Sequence, residues 1–170
     1  MLYFLIVNYY SCDFIKKIIE QLRFDFKEYK LLIVDNSANF LLQEIPAIYG
    51  NIKILDTKEN LGFGKACNLG LTWIYKQHSQ ALVWLINPDT FCSDNTVSKA
   101  ISFFEKYPEL SILGTLVYST GQKVWFGGGT FEHLKGKITS ENLFDSFPQH
   151  SYIPCDWVSG CSMIINLTHF

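Results

Sequence analysis

The chain has 170 residues, with 14 Lys and Arg against 16 Asp and Glu, for a net charge of −2. Hydrophobic residues supply 48% and charged residues 18%, which excludes a disordered chain and a coiled coil. The length suits one domain with its own core, and the lack of a basic surplus excludes a dedicated nucleic-acid partner.

In chain order, Leu2–Val7 is a continuous apolar run of strand length. It is too short to span a bilayer, which takes about 20 residues. It has neither the basic start nor the small-residue cleavage site of a signal peptide. Ser11 and Asp13 offer capping oxygens to a helix in which Phe14, Ile15, Ile18, Ile19 and Leu22 recur at helical spacing. Leu31–Val34 predicts a second strand, ending at Asp35-Asn36-Ser37. Phe40–Ile45 predicts a helical turn closed by Pro46, and Ile52–Leu55 a short third strand. After Asn60–Gly64, a helix runs from about Phe63 to about His78 with Ala66, Cys67, Gly70, Leu71 and Ile74 inward. Ala81–Ile86 is a fourth strand, stopped by Asn87-Pro88-Asp89 because proline lacks the amide that pairing needs. Ser93 is placed to cap a helix bearing Val97, Ala100, Ile101 and Phe104, with Pro108 past its end.

The pattern then changes. Ser111–Tyr118 and Lys123–Phe126 flank Ser119–Gln122 and read as a hairpin. Residues 127–150 are Gly-rich and weakly periodic and read as loop; Asp156–Ile165 is a last apolar run. The five cysteines, at 12, 67, 92, 155 and 161, form no CxxC pair. They read as buried thiols in a reducing cytoplasm.

Strands apolar on both faces and alternating with helices predict an α/β fold, a mostly parallel sheet flanked by helices with mixed strands toward the C-terminus. Such sheets bind ligands at the carboxyl ends of their strands. Asn8-Tyr9-Tyr10, Asp35-Asn36 and Asn87-Pro88-Asp89 all fall at that edge, and the third strand leads into Asn60-Leu61-Gly62. A pocket for a polar ligand follows. Gly64-Lys65-Ala66 and Gly136-Lys137-Ile138 both fail the P-loop pattern. Gly62-Phe63-Gly64 begins a near match to GxGxxG, but the dinucleotide fingerprint belongs in the first strand–helix turn, and that turn contains no glycine. Asp89, beside a proline-fixed turn, suits a hard cation such as Mg²⁺ that bridges phosphate oxygens; its plainer role is that of a turn residue.

Four segments together resemble the family 2 glycosyltransferases, in particular their rhamnosyltransferase-like branch. They are Ile6–Tyr10, Ile33–Ser37, Glu59–Gly70 and Leu85–Thr90, with Asp156–Met163 as a fifth. The resemblance implies a GT-A (Rossmann-like) fold that holds a nucleotide-diphosphate sugar with a divalent metal, Mg or Mn. It implies that Asn8 and Tyr9 line the nucleoside pocket, that Asp35 accepts a hydrogen bond from the pyrimidine ring, that Asn36 belongs to the same nucleotide-sugar site, and that Asn60, Gly62, Lys65 and Asn68 close over the nucleotide or approach its diphosphate. Asn87 and Asp89 occupy the DxD position, so Asp89 is the metal ligand and Asn87 a weaker one. The plainer reading of Lys65 is a solvated lysine. The Asn-Pro-Asp form points toward a dTDP-rhamnose donor. The implied reaction is inverting transfer to a saccharide or lipid-linked saccharide acceptor in bacterial surface polysaccharide synthesis. The resemblance places the protein in the cytoplasm or peripherally at the inner face of the membrane, and allows a homo-oligomer.

The family's later acidic segment, which supplies the catalytic base, has no match in residues 1–170. The chain therefore reads as one domain in which residues 1–92 bind the donor and residues 93–170 begin an acceptor side. Asp156 is the in-chain candidate for the base, against an ordinary role at the start of a strand. The alternatives are a binding or scaffold module without turnover, and a nucleotidyltransferase. His78, His133, His150 and His169 show no ligand spacing. Gly127-Gly128-Gly129 reads equally as a flexible loop near the sugar or as a turn. Trp125 and Trp157 read as core or as sugar-stacking rings. The aromatic content of 16% also suits a surface that meets a further protein segment or a membrane.

Overall fold

The structure is a computed structural model and describes residues 1–22, 29–37, 42, 51–93, 95–140, 142–146 and 149–170. The helical turn expected at Phe40–Ile45 lies outside the described residues, apart from the buried Leu42. The elements follow as β1 (Leu2–Asn8), α1 (Cys12–Leu22), β2 (Tyr29–Asp35), β3 (Ile52–Asp56), α2 (Phe63–Gln77), β4 (Leu82–Ile86) and α3 (Thr96–Lys106). Six short strands come after them: β5 (Ile112–Gly114), β6 (Val117–Tyr118), β7 (Val124–Phe126), β8 (Gly129–Glu132), β9 (Lys137–Ser140) and β10 (Ser162–Asn166).

The main sheet has the order β3-β2-β1-β4-β10-β5. β1 pairs in parallel with β2 and β4, and β2 with β3. β10 runs antiparallel to β4 and to β5. The α/β, mostly parallel architecture expected from the apolar strands is present. Its first strands are buried on both faces because each face carries its own helices. On one face Phe4, Ile6, Leu31, Ile33, Trp84 and neighbours pack against Ile15, Ile18, Ile19 and Leu22 of α1 and Val97 and Phe104 of α3. On the other, Tyr3, Leu5, Val7, Leu32, Val34 and neighbours pack against Ala66, Cys67 and Ile74 of α2. The two-residue period of a strand thus divides one apolar run between two cores.

α2 approaches β1 closely. A Cβ on Gly70 would fall 2.4 Å from Leu5 Cδ1, so glycine here is a packing requirement. Several expectations need correction. Residues 111–118 do not form one arm of a hairpin: β5 joins the main sheet beside β10, and only β6 and β7 pair as a small ribbon. Residues 127–150 are not all loop, since β8 and β9 form a hairpin. Ser93 does not cap α3; Asn95 is its N-cap, in a left-handed conformation, and the Ser93 hydroxyl lies 2.7 Å from that of Thr96. The Ser11 hydroxyl does not cap α1 but turns back to the carbonyl of Tyr9 at 3.2 Å. Phe14, placed on the inward stripe by its spacing, is exposed.

The five cysteines are free. Burial pushes the Cys67 and Cys92 thiols up to about 11. The fold therefore favours the neutral thiol. That advantage is intact below pH 9, where an unfolded thiol is also neutral, and is lost as the pH rises toward 11. The melting temperature is expected to fall across this window, and to fall less in Cys67→Ala. Gly70→Val is expected to destabilise the fold by about 1–3 kcal/mol through overpacking, read by urea denaturation.

Candidate functional site

The sheet order places β1 between β2 and β4, so the chain reverses its winding at β1 and leaves a crevice at the carboxyl ends of these strands. An open cleft of about 510 Å³ lies there, lined by Val7, Tyr9, Ser11, Phe14, Asn36, Asn60, Gly62, Phe63, Asn87, Pro88 and Asp89. Six of the residues singled out in the sequence (Tyr9, Asn36, Asn60, Gly62, Asn87 and Asp89) meet in its wall.

Asn8 and Asp35 lie under the cleft. They are the last residues of β1 and β2 and stand opposite each other in the parallel register. Both are fully buried. Asn8 Nδ2 donates to Asp35 Oδ1 at 2.9 Å and to Ser37 Oγ at 3.4 Å, while Asn8 Oδ1 accepts from the Ser11 amide at 3.0 Å. Ser37 Oγ also accepts from the Tyr10 amide at 2.9 Å. Tyr10 has φ 53°, a left-handed conformation that costs a non-glycine residue and that this clasp helps to hold. The turn carries the exposed Tyr9 ring, which packs edge-on against Tyr10 at 4.7 Å. Asp35 Oδ1 also accepts from the Ser37 amide at 3.2 Å. Its second oxygen, Oδ2, is buried with no partner, and a buried carboxylate oxygen in that state is an acceptor without a donor.

A second clamp joins the end of β2 to the start of α2. Asn36 Nδ2 donates to Asn60 Oδ1 at 2.9 Å, and Asn36 Oδ1 accepts from the Leu61 amide at 2.8 Å. Asn60 Oδ1 also accepts from the Gly62 amide at 2.8 Å. Gly62, with φ 79° and ψ 157°, adopts a backbone that only glycine enters readily and leads directly into α2. α2 has no side-chain cap and no acid in its first turn, so the positive end of its dipole is left uncancelled beside the cleft.

The third wall is a turn. The Thr90 amide donates to the Asn87 carbonyl at 3.1 Å, closing Asn87-Pro88-Asp89-Thr90. The Asn87 amide donates to the Cys161 carbonyl at 3.0 Å, just before β10. Below it, Trp84 Nε1 donates to Ser162 Oγ at 3.0 Å, and Ser162 Oγ lies 2.6 Å from Thr115 Oγ1. Asp89 is exposed. Among the described residues no cluster of three or more His, Cys, Asp or Glu side chains could hold a metal. One carboxylate and one amide oxygen suit a cation that completes its shell with water and phosphate oxygens.

Lys65 and Asn68 are exposed on α2 and do not line the cleft. Asp156 is apart from it: its Oδ2 accepts from the Phe131 amide at 2.7 Å, and its own amide donates to the Gly129 carbonyl at 2.9 Å. Trp157 covers Gly129, where a Cβ would lie 2.0 Å from its Nε1, and packs on Phe126 at 4.9 Å. Gly129 is therefore a packing glycine at the start of a strand. Sequence reasoning named Ser37, Phe14 and Phe63 but gave none of them a place in the site. Phe63 offered the clearest signal, an exposed aromatic ring between two glycines at a helix start.

The sequence profile of the Glycosyl transferase family 2 matches residues 4–164. A curated relative, Rhamnosyltransferase WbbL of Escherichia coli (strain K12), is 27% identical over 108 residues, covering 62% of this chain and 40% of the relative. The crystal structure of S. aureus TarS 1-349 in complex with UDP-GlcNAc superposes with a TM-score of 0.58 at 20% identity, over 90% of this chain and 48% of that one. Mannosyltransferase PcManGT from Pyrobaculum calidifontis, in complex with GDP-Man and Mn²⁺, gives 0.57 at 10% identity, over 91% and 48%. These likenesses show a shared fold, and the chain spans half or less of each of these proteins. Asn8→Ala is expected to cost about 1–3 kcal/mol of stability, because it strands Asp35 and the Ser11 amide. Asp89→Ala should change stability by less than about 0.5 kcal/mol; denaturant titration of both variants checks the contrast.

Proposed function

The chain belongs to glycosyl transferase family 2, and from that membership we propose that its cleft binds a nucleotide-diphosphate sugar and presents it for inverting transfer. The observation that carries the reading is the partnerless, buried Oδ2 of Asp35 at the same strand edge as Asp89. An ionised carboxylate there is matched by a ring N–H of uracil or thymine, a charge-assisted hydrogen bond. Asn8 fixes the carboxylate, Tyr9 offers a ring face to the base, and the Asn36–Asn60 clamp holds the start of α2 beside the ligand. The α2 dipole favours the negative diphosphate, with Lys65 on the first turn of the same helix and Asn68 one turn on. A divalent cation, Mg²⁺ or Mn²⁺, would be held by Asp89 with Asn87 and would stabilise the charge on the departing diphosphate.

In this reading residues 1–92 form the donor part and residues 93–170 begin the acceptor side. The donor is dTDP-rhamnose, a choice supported by the Asn-Pro-Asp pattern and by the relationship to the E. coli rhamnosyltransferase. The acceptor is a saccharide or lipid-linked saccharide of a bacterial surface polysaccharide, met by a cytoplasmic protein, single or self-associated, at the inner face of the membrane. Transfer also needs a base for the acceptor hydroxyl. Asp156 is engaged with the Phe131 amide, and this observation favours, as a second reading, a donor-binding module without turnover.

Calorimetry with dTDP and UDP, with and without Mn²⁺, tests the proposal. Binding is expected to strengthen with Mn²⁺. Asp35→Ala is expected to lower affinity about tenfold or more, and Asp89→Ala to remove the gain from Mn²⁺. CDP, whose ring lacks that N–H, is expected to bind weakly. The proposal fails if no nucleoside diphosphate binds under either condition. Release of nucleoside diphosphate, rather than pyrophosphate, separates sugar transfer from nucleotidyl transfer, and sugar transfer by the purified chain would remove the second reading.

A further inference from the structure

Phe63 lines the cleft and is 50% exposed, yet none of the nucleotide contacts derived above uses it. It is the first residue of α2 and stands between Gly62 and Gly64. Its ring lies against the turn that leads into β10: a Cβ on Gly160 would fall 3.4 Å from Phe63 Cε1. Cys161, next in the chain, accepts the Asn87 amide through its carbonyl at 3.0 Å. The ring is thereby placed at the end of the cleft that holds the Asn87-Pro88-Asp89 turn. Half of a phenyl ring left in water inside a concave site is apolar surface available to a ligand.

The sheet order gives the cleft a direction. Asp35 ends β2, Tyr9 follows β1, Asn87 and Asp89 follow β4, and Ser162 begins β10 opposite Ile86, the last residue of β4. These strand ends lie side by side in that order, and the three strand spacings from β2 to β10 amount to roughly 14 Å. A ligand whose pyrimidine meets Asp35 and whose diphosphate meets the Asp89 turn carries its remaining group, the sugar, on toward β10. The Phe63 ring stands there. The ring has no hydrogen-bonding atom, and the glycines around it add no side chain that could answer a hydroxyl; a Cβ on Gly62 or Gly64 would meet nothing within 4 Å. Such a surface favours C–H groups and leaves a hydroxyl pressed against it without a partner. Resting on the donor reading above, we infer that Phe63 is the specificity-determining residue for the sugar, taking the C–H face and the methyl group of a 6-deoxyhexose against its ring.

Calorimetry of the full chain with dTDP, dTDP-rhamnose and dTDP-L-mannose, each with Mn²⁺, tests it; the two sugars differ only by a hydroxyl on carbon 6. The parent chain is expected to bind dTDP-rhamnose about tenfold more tightly than dTDP-L-mannose. Phe63→Ala should abolish that preference and lower the affinity for dTDP-rhamnose about tenfold, while dTDP alone weakens by less than about twofold, because the lost contact is to the sugar. Circular dichroism checks that the variant is folded, and Phe63→Leu, which keeps apolar bulk but no ring face, supplies the same comparison if Phe63→Ala is not. Equal weakening of dTDP and dTDP-rhamnose would assign the ring to the base and overturn the inference. So would a parent chain without preference between the two sugars, or a preference that survives both substitutions. If the parent chain binds dTDP and only the sugar comparison fails, the donor reading stands without the inference; if it binds no nucleoside diphosphate, both fall.

Discussion

A buried hydrogen bond between the ends of two neighbouring strands organises this molecule's functional edge. Asn8 and Asp35 close β1 and β2 in register, and Asn8 uses its amide hydrogens on Asp35 and Ser37 and its oxygen on the Ser11 amide. One side chain thereby fixes a carboxylate, the first strand–helix turn and the left-handed residue within it. Asn8, Asp35 and Ser37 are buried, so each of these side chains, once released from the network, is left in a place where water does not readily replace the lost partner. The unmatched Oδ2 of Asp35 is the network's one open valence, and it lies where the winding of the sheet leaves a crevice.

The remaining walls follow from how the ends of the parallel strands are tied off. β2 is tied to the start of α2 by paired asparagine side chains, and β4 by a proline turn. Both ties use backbone amides that would otherwise lack partners at the edge of a sheet. The same polar residues hold the loops and form the cleft wall: Asn36 and Asn60 tie β2 to the start of α2 and both line the cleft.

The first half of the fold was legible because β1, β2 and β4 are buried on both sides and so read as unbroken apolar runs. α2 was legible from its spacing, and the strand-end asparagines and aspartates stood out against those runs. The later strands were harder to read for definite reasons. Residues 111–118 are mostly apolar, and only the presence of β10 alongside decides that Ile112–Gly114 leave for the main sheet. β8 and β9 are four residues each and mostly exposed, so no buried apolar run marks them in the sequence. Phe14 shares its helical stripe with true core residues, and a three-to-four-residue period cannot separate a cleft-facing ring from a buried one. Ser37 stood out only as the end of the Ile33–Ser37 segment, and its role was hidden because it comes from Asn8 and Tyr10, more than twenty residues earlier.

The Cys161 carbonyl, receiving the Asn87 amide, ties the turn that carries Asp89 to a chain segment some seventy residues distant. Directly beneath, Ser162 satisfies the indole of Trp84. Severing the polypeptide after residue 92 would accordingly leave an unanswered amide at the rim and an unanswered indole in the interior. The cleft wall borrows its rigidity from the far end of the chain, so a line drawn between residues 1–92 and residues 93–170 does not divide the cooperative folding unit.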